Sequence, residues 1–541
     1  MLKGLVLALL ALGPALGSTP RGAQSATYRN PILFADYSDP DVIRAGPAFY
    51  MTASSFASVP GLPLLRSYDL VHWTLIGHAA PRMPSVDFPT PQHGKGLWAP
   101  SLPHHAGLFW IYVGDPDRGI FVTTARDPSG PWSPLSLVKA AKGAIDPCPL
   151  WDDDGRVYLV HAWARSRAGF NSILTITPLS EDGRRVAGPD QTVFDGHAAH
   201  PTIEGPKFYK RDGWYYIFAP AGGVATGWQT VLRSRSVTGP YEDRVVMRQG
   251  RTAINGPHQG GLVEDREGTS WFLHFQDRGA YGRIVHLQPV VWRDGWPVIG
   301  VDADGDGVGE PVFEHAAPAS FAETAPVRTA VEGSDEFDAG APGLQWQWNA
   351  EPSESWIAAG ARPGFLRLHA VKAPADSRTL FDHPALLLQK IPAEGLVMTG
   401  RLDITGLGEG AEAGLVIAGR DTAALSLRRG GSGLTLVSRR GANVDRDGRD
   451  VETSAALAAT PLVWLRARIE PRPAANPAED APVATFAWSV DGLAYHVIGE
   501  PFTIRPGVWV GARLGLFALA SPTSARPGFA DIDWFRLEAL K

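Results

Sequence analysis

Three acidic residues stand in nearly the same local setting: Asp39 in "SDPDVIR", Asp146 in "IDPCPLW" and Glu204 in "IEGPKFY". Each comes one or two residues ahead of a proline and opens a strand-like run. Taken singly, an acid before proline reads as an ordinary turn residue. Three acids in matched places read as a site. Two carboxylates in different protonation states can break an acetal link between sugars. One, protonated, gives its proton to the leaving oxygen; the other, ionised, activates water. A third carboxylate nearby raises the pKa of the acid by like-charge repulsion and orients it. The chemistry requires a fold that brings residues 39, 146 and 204 together.

A recurring pattern indicates such a fold. A glycine followed three residues later by an aromatic, inside an apolar run, occurs five times: Gly46/Phe49, Gly107/Trp110, Gly155/Tyr158, Gly213/Tyr216 and Gly268/Trp271. Each run is short, rich in β-branched and aromatic residues, and starts at a turn residue, which are strand signals. Ahead of each run lies a proline followed by another short apolar stretch, at Pro40, Pro100, Pro147, Pro206 and Pro257. A unit of ~40–60 residues with about four strands is the period of a propeller blade. Five copies predict a five-bladed β-propeller over residues 27–322. In a propeller the first strands of all blades run beside one axis, so the residues at their heads converge. Asp39, Asp146 and Glu204 then face one another, with Trp98 and His258 at the corresponding places of the second and fifth units. Gly205 allows close approach there, and Pro206 fixes the exit of the backbone.

After about residue 322 the pattern changes. "FLRLHAV", "GLVMTGRLDI", "LTLVSRR", "VWLRARIE" and "IDWFRLE" alternate apolar and polar residues between Gly, Pro and Asp turns. Residues 323–541 are therefore expected to form an antiparallel β-sandwich of jelly-roll, concanavalin-like type, making the whole chain all-β. The first 26 residues, with Lys3 ahead of a short apolar run that stops at Pro14, read as a secretory signal. This implies a periplasmic or secreted protein with no membrane association once the signal is cleaved. A formal charge of −6 argues against a nucleic-acid partner. Cys148 is the sole cysteine, which excludes an intrachain disulfide and suits a small buried residue.

"NPILFADYSDPDVIR", "SYDLVHW", "LWAPSL", "IDPCPLWDDDGRVYLVHAW", "TIEGPKFYK" and "GRIVHLQPV" resemble, in order, the pattern of glycoside hydrolase family 43. The resemblance spans residues 29–300. It implies inverting exo-hydrolysis with Asp39 as general base, Asp146 as pKa modulator and orienter, and Glu204 as general acid. "SDEF" and "ADIDWF" resemble the ends of the sandwich that accompanies many β-xylosidases of the family. The implied substrate is a xylan-derived plant cell-wall saccharide. β-Xylosidase is the first expectation, α-L-arabinofuranosidase the alternative, and a sugar-binding propeller without catalysis the third. Among supporting residues, Trp98 suits stacking on a sugar ring, and His258 and Gln259 suit hydrogen bonds to hydroxyls. Arg283 resembles an arginine that reaches the site in family xylosidases, and Trp228 sits on a glycine-rich loop placed to border a pocket.

No cofactor is required by this chemistry. A structural calcium ion in the channel, touched by His274, is implied by the resemblance, although a single imidazole suits an oxygen-seeking cation poorly. Asp302, Asp304 and Asp306 have the spacing of the first half of a calcium loop, but its twelfth position is Phe313 and no helices flank it, so a polar turn is the expected reading.

Overall fold

In a computed structural model the chain is described for residues 26–85, 87–321, 331, 333–431, 433–457 and 460–540, so almost all of the expected signal lies outside the described residues. Five antiparallel sheets follow one another along the chain. Their first strands are Asp41–Ala45, Trp98–Ser101, Ala144–Trp151, Lys207–Arg211 and His258–Glu264. Each first strand pairs with the strand carrying the recurrent aromatic, and two more strands complete the sheet. The second sheet also carries the two-residue strand His104–His105.

The repeated glycines make the first hairpin of every sheet. Gly46, Gly107, Gly155, Gly213 and Gly268 all have φ between 59° and 83°, in the left-handed region that only glycine enters without strain. The aromatics three residues on feed the seams between sheets, and each seam has its own apolar cluster. Leu64 and Val113 meet between sheets one and two; Val122 and Leu159 meet between two and three. Val160 and Ile217 fill the third seam, Phe218 and Phe272 the fourth. Sheet five packs back on sheet one through Leu273, Leu287, Met51 and Leu65. Fully burying one such side chain is worth roughly 1.5–3 kcal/mol, so the seams hold the sheets together. The strand Thr27–Arg29 pairs with Glu314–Ala316, tying the start of this region to its end.

From Gln347 onward an eight-stranded and a six-stranded sheet lie face to face. Alternate residues of Leu396–Asp403, namely Leu396, Met398 and Leu402, point into the shared core, while Val397 and Arg401 are only half-buried. This sandwich is fastened to the five-sheet region. Trp348 forms a β-bridge with Val59, and Arg278 pairs with Asp480 at 2.7 Å and Glu394 at 2.8 Å. Among the described residues no helix is long and apolar enough to cross a membrane.

Candidate active site

The heads of the five first strands share one turn. Each contains a residue with positive φ: Asp39 (53°), Ala99 (41°), Asp146 (57°), Gly205 (58°) and Gln259 (35°). The next residue is Pro40, Pro100, Pro147 and Pro206 in the first four sheets and Gly260 in the fifth. Non-glycine residues seldom adopt this backbone, and finding them in register marks a site that the surrounding structure enforces. The register corrects the sequence reading in two places. Ala99 and Gln259, rather than Trp98 and His258, are the counterparts of Asp39 and Asp146. Pro257 lies two residues ahead of the turn position, so it is not the fifth repeat of Pro40. Glu204, Trp98 and His258 share the preceding position, which explains why Glu204 is two residues from its proline when the aspartates are one.

These turns converge on a cavity of about 110 Å³ lined by Asp39, Asp146, Glu204, Trp98, Gln259 and Arg283, with Phe56, Ala99, Ile145, Val224 and Trp509 completing it. Asp39 is buried and held on both oxygens. Its Oδ2 accepts a hydrogen bond from Ser54 Oγ at 2.5 Å, and its Oδ1 lies 3.2 Å from Arg283 Nη1. Ser54 Oγ in turn accepts from the Ala99 amide at 2.6 Å, so the turn of sheet two buttresses the acid of sheet one. Asp146 Oδ2 accepts from the Gly205 amide at 2.8 Å. That bond needs the close approach that glycine at 205 provides: a Cβ there would meet the Gln259 side chain at 2.6 Å.

The acids differ in charge environment. Burial pushes Asp146 well above the ordinary carboxylate range, and the charge of Asp39 adds to it, while the Gly205 amide, Lys207 and Arg283 pull the other way. Burial raises Glu204 too, followed by the charges of Asp146 and Asp39, with only Arg283 opposing. The Glu204 side chain keeps 33% of its surface open toward the cavity. His258 Nε2 is 3.6 Å from Glu204 Oε1. Burial, then the positive charge of Arg283, hold that imidazole neutral, with its pKa lowered to about 3. The site therefore contains one carboxylate ion-paired with a buried arginine, and two coupled carboxyls that burial pushes upward, Glu204 the more so when Asp146 is charged.

Of the remaining sequence candidates, Trp98 stands in the wall with its ring 5.9 Å from Phe56. Trp228 does not line the cavity. Its indole N–H donates to His200 Nδ1 at 3.3 Å, and its ring packs under Gly222; the glycine-rich loop sends Val224 to the site instead. His274 is fully buried behind the site. Its Nδ1 donates to Phe275 O at 3.0 Å, and Gln288 Nε2 lies 3.1 Å from its Nε2. Both ring nitrogens are engaged, so this donor set does not fit calcium. Carboxylate oxygens of Asp302, Asp304 and Asp306 lie within 4.8 Å of one another, but Arg293 pairs with Asp302 at 2.7 Å and Arg248 with Asp306. Cys148 is buried, its Sγ accepting from the Phe208 amide.

One lining residue has no signal in the propeller repeats. Trp509 comes from the C-terminal sandwich, on the segment "GVWVG". Its φ is 67°, and its ring meets that of Trp98 edge-on, the centroids 6.1 Å apart, so the two share one part of the cavity wall. Gly511 N donates to Asp36 Oδ2 at 2.8 Å and Ala512 N to Ala280 O at 2.7 Å, pinning the segment to the five-sheet region.

A cavity that gathers three acids in different charge environments, walled by tryptophans, defines a glycoside hydrolase. Residues 28–297 match the model for glycosyl hydrolases family 43, and residues 334–538 that for the β-xylosidase C-terminal concanavalin A-like domain. A putative β-xylosidase of Xylanibacter ruminicola is 39% identical over 490 residues, covering 90% of this chain and 86% of the relative. A non-reducing end α-L-arabinofuranosidase of Bacteroides ovatus is 32% identical over 418 residues, covering 73% and 74%. The crystal structure of a xylan β-1,4-xylosidase from Bacillus halodurans superposes with a TM-score of 0.82 at 26% identity, covering 94% of this chain and 99% of that one. The chain belongs to glycosyl hydrolases family 43.

Proposed function

We propose that the protein is an exo-acting, inverting β-xylosidase that removes xylose from the ends of xylan-derived oligosaccharides. The observation that carries this reading is the cavity itself, a pocket of about 110 Å³ with all three acids at its wall and Trp98 and Trp509 beside them. Asp39 acts as general base, its carboxylate fixed by Ser54 and Arg283 and directed at a water. Glu204, kept protonated by burial and by Asp146, gives its proton to the leaving oxygen. Asp146 modulates and orients Glu204. Two carboxylates supply both proton transfers, so the reaction calls for no cofactor. The five seams, including the one between sheets five and one, support a closed five-bladed propeller that gathers the turns around one axis. A leader at residues 1–26 would deliver the enzyme to the periplasm or outside the cell, where plant cell-wall saccharides are met.

The named Bacteroides relative favours a second reading, α-L-arabinofuranosidase. A panel of nitrophenyl pentosides decides between them. The β-D-xyloside is expected to give the highest kcat/KM; a higher value for the α-L-arabinofuranoside transfers the assignment, and no turnover of any pentoside removes it.

Trp509 restricts the cavity on the side of the sandwich, which suits removal of single terminal sugars. Trp509→Ala is expected to raise KM for xylobiose roughly 3- to 10-fold, the worth of one aromatic contact, with kcat little changed. The side chain is 49% exposed, so the melting temperature should hold. An unaltered KM would show that the ring does not touch the saccharide.

A further inference from the structure

Gln259 is the residue of the repeated turn for which the catalytic reading has no task. It occupies, in sheet five, the position that Asp39 and Asp146 occupy in sheets one and three. Its backbone is strained, with φ of 35°. The pairing of the strand His258–Glu264 with Ser270–Asp277 slips between His258 and Gly260, so Gln259 is the extra residue of a β-bulge. Bulges beside active sites re-aim a side chain, and this one turns Gln259 into the cavity wall. The residue is 3% exposed, and its amide nitrogen has no hydrogen-bond partner among the described residues. A buried donor without a partner is costly and calls for an explanation. Packing does not supply one. The end of the Gln259 side chain occupies the space where a Cβ at Gly205 would stand, and a methionine would fill that space equally. Strain, burial and an unsatisfied donor at one residue describe a group held for a ligand.

We propose that Gln259 contacts the substrate, its amide N–H donating to a hydroxyl of the sugar held over Asp39, Asp146 and Glu204. The proposal rests on the glycosidase reading and adds a specificity determinant to it. The ligand group is a ring hydroxyl, neutral and able to accept, which matches a neutral donor set among three acids. A carboxylate at this position would add a fourth negative charge; an alanine would leave the hydroxyl unpaired. Sites built to hydrogen-bond a hydroxyl reject analogues that lack it.

The test compares the full-length enzyme with Gln259→Met, which removes the donor and keeps the length. The kcat/KM is measured on the best nitrophenyl pentoside of the panel and on its monodeoxy counterparts, one for each ring hydroxyl. The variant is expected to lose roughly 10- to 100-fold on the parent. On one deoxy substrate the loss should vanish, because the wild-type enzyme has then lost the same bond. An equal penalty on the parent and on every deoxy analogue, or no penalty at all, overturns the proposal and leaves the glycosidase reading standing. A wild-type enzyme inactive on every pentoside overturns both. If Gln259→Met melts early, Gln259→Leu runs through the same series, removing the donor without adding a charge to the site.

Discussion

Asp39→Asn yields a folded protein whose turnover of xylosides falls by at least ~10²–10⁴-fold, the contribution of a general base. The carboxamide is nearly isosteric with the carboxylate. Its oxygen can still accept from Arg283, and its side chain still fits the positive-φ turn, since Asn tolerates that backbone better than most residues. The folding cost should therefore stay below the roughly 3–5 kcal/mol that follows when a buried ion is left with no partner. What is lost is the proton acceptor. Water must be activated whether the leaving group is good or poor, so the defect should be similar on nitrophenyl xyloside and on xylobiose. Circular dichroism and thermal melting check the fold; initial rates on both substrates check the chemistry. Near-normal activity on xylobiose would remove Asp39 from the role of base.

The three acids were legible because their setting is local. Proline at the next position or the one after fixes the turn, and the glycine-aromatic run that follows reports the strand behind it. Positive φ at Gly46 or Gly213 is written directly in the residue type. The second and fifth turns were harder to read for a physical reason. Ala99 offers no functional group to notice, and the fifth turn replaces proline with Gly260, so Pro257 supplied a false register one residue away from His258. Trp228 drew attention as an aromatic on a glycine-rich loop. There the glycines serve packing: Gly222 has φ of 81°, and a Cβ would strike the Trp228 ring at 2.5 Å. Trp509 was beyond reach of any local pattern. It belongs to the second domain, and its place in the cavity depends on the Gly511–Asp36 and Ala512–Ala280 bonds, which join residues hundreds of positions apart. Ser54, which holds Asp39, carries no motif either. It reaches the acid because the second strand of sheet one runs beside the first and the chain continues past it.

Glu204→Gln should separate the acid from the base through the leaving group. The xylose expelled from xylobiose leaves as a strongly basic alkoxide unless its oxygen is protonated, so the variant should be severely impaired on this substrate, again by ~10²–10⁴-fold. A dinitrophenyl xyloside releases an acidic phenol that needs no proton, and its loss should be far smaller. Asp39→Asn shows no such selectivity, and the contrast between the two variants assigns the roles without reference to any relative. The pH dependence gives a second handle. Burial, then Asp146 and Asp39, push Glu204 up to about 8. A carboxyl with a raised pKa is neutral below that value and ionised above it, so the competent acid is present at neutral pH and is lost as pH rises through about 8. The wild-type kcat/KM for xylobiose should fall on that side. In Glu204→Gln, the residual rate on xylobiose should lack that alkaline limb, because the amide does not titrate. The released xylose should first appear with inverted anomeric configuration, since water held by Asp39 attacks the face opposite the departing oxygen. Retained configuration in an NMR time course, or equal losses on both substrates in Glu204→Gln, would overturn the assignment.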